Sequence, residues 1–455
     1  MRHLFLDAAM LPAGWASNVR IGIDEGAIVS VETMASKTER DERVRGVAIP
    51  GMVNAHSHAF QRAFAGLAER RGAGEDSFWT WRDAMYRAAA QLTPDLMHAI
   101  AAQLYAEMLA AGYTSVVEFH YVHHQPDGRP YEDRSAMAQA LIAAADEAGI
   151  GLTLLPVLYQ TSGFGGRAAR DDQKRFLNSV DQLLGIIEEA RGATGPQLQV
   201  GLALHSLRAV PPEALRQAVG AVRDAPMHIH VAEQIAEVDD CLAWSGRRPV
   251  EWLLDEAPVD ECWCLVHATH LTESETERLA RSGATVALCP TTEANLGDGL
   301  CPVEAYLRSG GTFAIGSDSH VSVDPFEELR WLEYGQRLVT RRRSLVASAD
   351  DPHSGAHMWR QSLSGGARAC GRPIGAIAPG ARADLIIVDP DHPALLTSAG
   401  DAMLDTLVFH SAARQSLRRV MCGGEWVVTE GRHVRAETFG EAYAKAVLPL
   451  RQALA

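Results

Sequence analysis

The 455-residue sequence predicts an α/β fold, a (β/α)8 TIM barrel with a small β-sandwich-like domain built from both termini. Eight short apolar runs alternate with longer segments of helical periodicity, which indicates repeated strand–helix units. The segments on either side of this region are β-like instead. The length suits one barrel of about 250 residues or more together with a smaller domain.

The eight apolar runs predict the barrel strands in chain order. They are "AIPGMVNAH", "TSVVEFH", "LTLLPV", "LQVGLALH", "MHIHVAE", "CWCLVHAT", "TVALCP" and "TFAIGSDS". Intervening stretches such as "DLMHAIAAQLYAEMLAAG" place apolar residues at i, i+3 and i+4, as amphipathic helices do. Gly112, Gly149 and Gly283 follow such segments and are expected helix C-caps. We assign the barrel to residues 47–373.

The two flanks of the barrel are expected to pair into one small domain. Residues 1–46 and 374–435 contain short β-like pieces, among them "HLFLDAAML", "LDTLVFH" and "GEWVVTEG". "CGG" and "TEG" are typical of hairpin turns. Residues 436–455 are expected to form a final amphipathic helix.

Charge and cysteine usage exclude several classes of protein. The net charge of −15 argues against nucleic-acid binding, which needs a basic face. Seven cysteines, an odd and sparse number, do not indicate a disulfide framework, and Cys262 and Cys264 are interpreted as core thiols. No apolar run approaches about 18 residues, and "MRHLFLDAAML" does not resemble a signal peptide, so we expect no membrane span and a cytoplasmic protein.

The end of the first apolar run carries two histidines, His56 and His58. Residues i and i+2 of a strand point to the same side, so both imidazoles should project together. Two parallel neutral imidazoles form half of a metal site. In a barrel the rest of the site is expected at the carboxyl ends of other strands.

Other strand ends supply the missing ligand types. The fifth run carries His228, His230 and Glu233, the sixth ends in His267, and the eighth ends in Asp318. A single buried histidine is more often a core residue, and an aspartate after a strand is often a helix cap. Four strand ends that all carry ligand-type residues are unlikely to coincide by chance. His228 lies two residues before His230, further from the end of the strand, and we expect it to be a core residue.

This arrangement resembles the amidohydrolase superfamily over nearly the whole chain. "PGMVNAHSH" and the late "GAIAPGARADLIIVD" are also typical of that superfamily. The resemblance implies a metal-dependent hydrolase. The fourth run lacks the lysine that bridges two metals in many members, so one divalent ion is implied. Three imidazoles favour Zn²⁺, although Fe²⁺ or Mn²⁺ would fit the same ligands.

The resemblance also implies the role of each site residue. The spacing H-x-x-E of His230 and Glu233 looks like the aminohydrolase branch, in which Glu233 carries protons to a substrate nitrogen. Asp318 would accept a proton from the metal-bound water, and His267 would polarise or deprotonate that water. The implied metal ligands are His56, His58, His230 and Asp318.

Four further stretches resemble the formimidoylglutamate deiminase family more specifically. They are "NAHSHAFQRAFAGLAE", "DSFWTWRDAMY", "VVEFHYVHH" and "LLPVLYQTSGFGG". The implied reaction converts N-formimidoyl-L-glutamate to N-formyl-L-glutamate and ammonia, by attack of metal-bound hydroxide on the amidine carbon, in histidine degradation. A homodimer is implied by the same resemblance.

Two substrate carboxylates call for guanidinium groups and hydroxyls near the strand ends. Arg208, in "LHSLRAV" after the fourth run, is the strongest candidate. By resemblance, the residues that bind this dicarboxylate are Gln61, Arg82, Tyr121, His205 and Arg208.

Three other interpretations remain open at this stage. The same metal site could serve the amine of a guanine- or adenosine-like ring, although the arginines argue against a neutral substrate. A two-metal cyclic-amide hydrolase would need the bridging lysine. A barrel that binds a molecule without catalysing a reaction would be expected to lack one of the metal-site residues.

Overall fold

The computed structural model describes residues 1–67, 69, 78–193, 195 and 197–454. In this part of the chain the strands are β1 (Arg2–Leu11), β2 (Gly14–Asp24), β3 (Ala27–Glu32), β4 (Glu42–Pro50), β5 (Met52–Ser57), β6 (Tyr113–His120), β7 (Gly151–Leu158), β8 (Leu198–Val200), β9 (Leu202–Ser206), β10 (Met227–Val231), β11 (Trp263–His267), β12 (Thr285–Leu288), β13 (Thr312–Ile315), β14 (Leu385–Val388), β15 (Leu417–Cys422), β16 (Glu425–Thr429) and β17 (Arg432–His433).

Helices separate most of the strands. Over the same residues they are α1 (Phe78–Ala89), α2 (Pro94–Ala111), α3 (Ala136–Ala148), α4 (Val180–Gly192), α5 (Pro212–Ala221), α6 (Ile235–Ser245), α7 (Pro249–Glu256), α8 (Glu273–Ser282), α9 (Pro290–Leu296), α10 (Val303–Arg308), α11 (Pro325–Thr340), α12 (Ser354–Cys370), α13 (Asp401–Phe409) and α14 (Ala436–Leu454). None of these helices, among the described residues, is both long and apolar enough to cross a membrane.

A parallel sheet forms the barrel, and the prediction of a TIM barrel with a separate terminal sheet is confirmed. Within the described chain its strands run in the order β5, β6, β7, β9, β10, β11, β12 and β13, with β8 paired to β7. β5, β6 and β7 are buried along their whole length, because helices cover the outer face and side chains fill the interior. Gly112, Gly149 and Gly283 cap helices in left-handed conformations, as predicted.

Backbone hydrogen bonds between the first and last strands close the barrel. The Asp318 amide donates to the His56 carbonyl at 3.0 Å, and the His58 amide donates to the Asp318 carbonyl at 3.2 Å. Beside them, the Asn54 side chain accepts from the Ser317 amide at 3.0 Å and donates to the Ser317 hydroxyl at 2.6 Å. We call these contacts the seam. They bring the H-x-H pair and the aspartate after the eighth strand together.

The two termini share one sheet. Its described strands run in the order β17, β16, β15, β14, β4, β1, β2 and β3, so β4 from the N-terminal part pairs with β14 from the C-terminal part. The sheet curls, because the Ile28 amide donates to the Ala381 carbonyl at 2.8 Å and Ala27 bridges Arg382. Leu4, Ile21 and other apolar side chains fill the interior of this sheet.

Two details of the sequence prediction differ from the structure. The apolar run from Val47 to Val53 is divided at Gly51, so residues 47–50 belong to the terminal sheet and the barrel strand starts at Met52. An unbroken apolar run does not reveal that the chain changes from one sheet to another. "LDTLVFH" was expected to be β-like, but it lies in α13, because Leu404 and Leu407 share a buried helical face that packs on α12.

The packing of α12 on β13 predicts the effect of one substitution. A Cβ at Gly365 would fall inside contact distance of the Phe313 carbonyl oxygen, and backbone cannot give way as a side chain can. We expect Gly365→Ala to lower the free energy of unfolding by about 3 kcal/mol, measured by denaturant titration.

The matched control is Gly220→Ala in α5, where the added Cβ meets nothing within 4 Å. Better helix propensity should raise stability there by about 1 kcal/mol. Equal effects of the two substitutions would contradict the packing argument.

Candidate metal and substrate site

Three histidine side chains converge at the carboxyl ends of β5 and β10. The Nε2 atom of His56 lies 3.1 Å from Nε2 of His58 and 2.9 Å from Nε2 of His230. The three side chains are buried, and ligand atoms of all three lie within 4.8 Å of one another. Tetrahedral Zn²⁺ with Zn–N bonds of 2.0–2.1 Å separates its nitrogen ligands by about 3.3 Å, close to this spacing.

Hydrogen bonds on the far side of two rings orient these nitrogens. Nδ1 of His58 lies 3.0 Å from the Phe119 carbonyl, and Nδ1 of His230 lies 3.0 Å from the His205 carbonyl. Each Nδ1–H therefore donates, which leaves the Nε2 lone pair facing the other rings. Burial lowers the pKa of His58 to about 3 and that of His230 well below its usual range, so both rings are neutral. This donor set fits a divalent cation.

Asp318 lies between the three imidazoles and His267. Its Oδ1 is 3.5 Å from Nε2 of His58 and 3.7 Å from Nε2 of His56, and its Oδ2 is 3.7 Å from Nε2 of His267. Burial raises the pKa of this carboxyl to about 7. Asp318 and His267 have φ angles of 44° and 70°, a left-handed conformation that costs energy for non-glycine residues. The chain bends at these strand ends, and that bend aims both side chains at the site.

Carboxylates surround His267. Its Nδ1 lies 3.2 Å from Oε1 of Glu293, and its Nε2 lies 3.8 Å from Oε1 of Glu233. Burial favours the neutral ring, but the charges of Glu233, Glu293 and Asp318 outweigh it and raise the His267 pKa to about 10. Glu293 also accepts a hydrogen bond from the Cys289 amide at 2.9 Å. Sequence reasoning missed Glu293 because it lies in α9, past the strand end.

Two further buried carboxyls hold the turn that carries Glu233. Glu237 accepts from the amides of Ala232 at 3.2 Å and Glu233 at 3.3 Å. Asp298 accepts a hydrogen bond from the Gln234 side chain. Burial raises the pKa of Glu237 to about 7 and that of Asp298 to about 9. Neither residue was predicted, because both lie beyond the strand ends.

One cavity brings the predicted site residues together. It is lined by residues of the metal and catalytic sets and by all of the predicted substrate-binding set, Gln61, Arg82, Tyr121, His205 and Arg208. His56 is buried and is not among the residues that line the cavity, and its ring contacts that of His58 edge-on with the centroids 4.6 Å apart. His228 lies outside it and contacts the Ala369 carbonyl at 2.8 Å, which suits a core residue. Residues 68, 76 and 77, which fall in two of the quoted sequence stretches, lie outside the described residues.

Aromatic side chains form much of the remaining cavity wall. Tyr86, Tyr159 and Phe176 line it, and the Gln173 amide donates to the hydroxyls of Tyr159 at 2.8 Å and Tyr86 at 3.1 Å. Tyr159 directly follows β7, the third strand of the barrel, so a search of residues at the carboxyl ends of the strands could have found it. Tyr86 lies in α1, at the end of the family stretch "DSFWTWRDAMY", and was not singled out there; Phe176 lies in a 3-10 helix, where no sequence signal marked it.

A buried carboxylate supports the H-x-H segment from below. Glu118 of β6 accepts from the Ser57 hydroxyl at 2.6 Å, the Ala59 amide at 2.7 Å and the Tyr105 hydroxyl at 3.3 Å. Ser57 and Ala59 flank His58, so Glu118 fixes the backbone on both sides of that ring.

Comparison with known proteins places the chain in a class. The model of the amidohydrolase family matches residues 47–427, so the chain belongs to the amidohydrolase family. The model named "Formimidoylglutamate deiminase HutF, N-terminal domain" matches residues 1–45. The chain is 49% identical over 451 residues to formimidoylglutamate deiminase of Pseudomonas aeruginosa, covering 98% of this chain and 99% of that one. Within the amidohydrolases it belongs to this formimidoylglutamate deiminase branch, as its sequence motifs indicated.

Solved structures show the same fold. A crystal structure of an amidohydrolase from Brucella melitensis superposes with a TM-score of 0.95 at 46% identity, covering 99% of this chain and 100% of that one. A zinc-bound adenosine deaminase from Xanthomonas campestris superposes with a TM-score of 0.80 at 23% identity, covering 99% and 98%. The second likeness concerns the fold alone.

The support beneath the H-x-H segment predicts the effect of removing Glu118. Glu118→Ala would leave three buried donors without their acceptor, each costing about 1–3 kcal/mol. We expect the free energy of unfolding to fall by about 3 kcal/mol or more, with a smaller loss for Glu118→Gln, which keeps an acceptor oxygen. The measurement is denaturant unfolding of the metal-free protein.

The control is Glu107→Ala, which removes a half-buried ion pair with Arg62 and should cost less than about 1 kcal/mol. A Glu118→Ala variant as stable as this control would contradict a supporting role for Glu118.

Proposed function

We propose that the protein hydrolyses N-formimidoyl-L-glutamate to N-formyl-L-glutamate and ammonia, using one divalent cation. The observation that carries this proposal is a single cavity with neutral imidazoles and Asp318 at one end and the two guanidinium groups of Arg82 and Arg208 in its wall. The 49% identity to formimidoylglutamate deiminase of Pseudomonas aeruginosa supports the choice of substrate.

His56, His58, His230 and Asp318 would hold the cation. We infer Zn²⁺, which imidazole nitrogens suit better than they suit Mg²⁺ or Ca²⁺. When bound, such an ion supplies a nucleophile at neutral pH, because it lowers the pKa of a coordinated water to about 7. A cation held among the three rings would lower the pKa of Asp318, which burial alone raises to about 7. The carboxylate is then ionised and can take a proton from the attacking water.

His267, whose ring stacks on that of His230 with the centroids 5.6 Å apart, and Glu233 both act on the reacting group. Glu293 holds Nδ1 of His267, so its Nε2 faces Asp318 and Glu233 and can polarise the attacking oxygen. Glu233 relays a proton that originates in the attacking water to the terminal nitrogen of the amidine. The bond between the amidine carbon and that nitrogen then breaks, ammonia leaves, and the oxygen from water becomes the formyl oxygen.

The charge of the cavity wall suits a dianionic substrate. Burial lowers the pKa of the Arg82 guanidinium, Tyr86 raises it, and the positive charge of Arg208 lowers it further. The effect of Arg208 shows that the two guanidinium groups repel each other. Two substrate carboxylates would relieve that repulsion through charge-assisted hydrogen bonds. A neutral guanine- or adenosine-like ring would not.

The other predicted contacts complete the cavity. Burial raises the pKa of Tyr121 well above its usual range, so its phenol stays neutral and can donate a hydrogen bond. Gln61 donates its amide to the Tyr121 hydroxyl at 3.2 Å, and we assign both side chains to the substrate. We assign His205 to the same role; burial lowers its pKa well below the usual range.

The biological setting is part of the same proposal. We infer a cytoplasmic enzyme of histidine degradation that acts as a homodimer, from the resemblance to the formimidoylglutamate deiminase family. Light scattering of the purified protein tests the dimer independently of activity.

Ammonia release tests the proposed reaction directly. Purified zinc-loaded protein should release ammonia from N-formimidoyl-L-glutamate and much more slowly from N-formimidoyl-L-aspartate or guanine. Release from guanine alone would replace the substrate assignment. No release from any of the three, with zinc bound, would overturn the proposed function.

Glu233→Gln tests proton delivery. The amide cannot give up a proton as a carboxylic acid does, so kcat should fall about 10³-fold while bound zinc, measured by elemental analysis, stays unchanged. Glu188→Gln, on the exposed face of α4, is the control and should keep full activity. Normal turnover of Glu233→Gln would remove Glu233 from the mechanism.

Arg208→Ala tests recognition of the carboxylates. Loss of a charge-assisted contact should lower kcat/KM for N-formimidoyl-L-glutamate about 10- to 100-fold, chiefly through KM. Formamidine, which lacks carboxylates, should be hydrolysed equally slowly by both enzymes. Arg216→Ala, an exposed arginine of α5 paired with Glu256, is the control. Equal losses with both substrates would show that Arg208 does not bind the carboxylates.

A further inference from the structure

We propose that the protein has a second cation site, formed by His267, Cys289 and Asp318, that takes a second soft or borderline divalent ion such as Cd²⁺ or excess Zn²⁺. One ligand atom from each of these buried residues lies within 4.8 Å of the other two. The inference rests on the proposed function in one respect, because Asp318 also belongs to the three-imidazole site.

Asp318 has the geometry of a bridging ligand. Its Oδ1 faces the rings of His56 and His58 at 3.7 and 3.5 Å, whereas its Oδ2 faces Nε2 of His267 at 3.7 Å. In sites with two metals the ions lie about 3.5–4 Å apart and share such groups. The fourth barrel strand, β9, lacks the bridging lysine, but this does not exclude a second ion, because the Asp318 carboxylate can bridge the two sites.

His267 is oriented as a ligand. Nδ1–H can donate to Glu293 at 3.2 Å, which leaves Nε2 to face Asp318 and the cavity. A carboxylate behind a histidine in this way fixes the tautomer and strengthens the ring as a metal ligand. His58 and His230 show the same arrangement, with backbone carbonyls in place of the carboxylate.

Cys289 supplies sulfur at the end of β12. Its amide is held by Glu293, the carboxylate that also orients His267. The residue is buried in the barrel interior beside Val266 and Ala287. A thiolate selects zinc and other soft ions over Mg²⁺ or Ca²⁺, which prefer oxygen. The sequence offered no signal for this role, since a lone cysteine after a strand is usually a core residue.

Binding at this second site displaces the proton of the Cys289 thiol to solvent, because a thiol ligates a metal as the thiolate. Burial, with nearby carboxylates, raises the pKa of the thiol well above its usual range, so its proton is lost reluctantly. The affinity should be lower than at the three-imidazole site, because this site has only three protein ligands and shares one of them, Asp318. The second ion would also occupy His267 and Asp318, which the reaction needs, and so should inhibit turnover.

Cadmium titration of the metal-free protein tests the site. We expect two Cd²⁺ ions per chain by elemental analysis after gel filtration, the second accompanied by the ultraviolet absorbance of a cadmium–thiolate bond. Cys289→Ala should bind one ion without that absorbance. Cys264→Ala is the matched control, because Cys264 is a buried thiol of the same interior cluster and should leave both signals intact.

Some outcomes would overturn the second site. They are a single ion with no thiolate absorbance in the unaltered protein, or two ions and the absorbance in Cys289→Ala. Should Cys289→Ala and Cys289→Ser both fail to fold, ¹¹³Cd resonance of the unaltered protein decides, because sulfur ligation shifts the second signal strongly downfield.

Activity separates this inference from the proposed function. Excess Zn²⁺ should inhibit ammonia release by the unaltered enzyme about tenfold or more, as expected when acid–base groups are lost, and inhibit Cys289→Ala much less. Equal inhibition of both enzymes would overturn the inference and leave the reaction intact. Absence of ammonia release at one bound ion would instead count against the proposed function.

Discussion

The seam between β5 and β13 is the constraint on which the site depends. Strand pairing closes the barrel through the Asp318 amide on the His56 carbonyl and the His58 amide on the Asp318 carbonyl. His56, His58 and Asp318 also provide two imidazoles and a carboxylate of the site. The hydrogen bonds that close the barrel therefore also bring these ligands together. Asn54 and Glu118 reinforce this region with buried hydrogen bonds, which a low-dielectric interior makes costly to break.

Charge varies systematically across the cavity. Neutral rings lie at the β5 and β10 ends, carboxyls surround His267, and two guanidinium groups lie in the cavity wall. Burial strengthens each of these interactions, because little water is present to screen them. A substrate with a cationic amidine and two carboxylates matches this distribution, and the cluster of carboxyls near His267 favours an additional cation.

Much of this could be predicted because strand periodicity and barrel topology are local and general rules. Alternating apolar runs gave the strands, and the rule that chemistry lies at their carboxyl ends selected His56, His58, His230, His267 and Asp318. The rule does not extend to side chains that reach the site from helices and loops. Glu293, Glu237, Asp298, Tyr86 and Phe176 were missed for that reason, and "LDTLVFH" was misassigned because short apolar runs suit both strands and helices.

By itself the sequence determined the class of fold, the family and the residues at the strand ends, since these follow from periodicity, motifs and chain order. Only the tertiary structure decided how the residues meet. It set the 2.9 and 3.1 Å spacing of the imidazoles, the two-sided position of Asp318 and the proximity of Cys289 to His267. Those distances depend on barrel closure and on left-handed turns at Asp318 and His267, which bring together residues up to 262 positions apart, from His56 to Asp318.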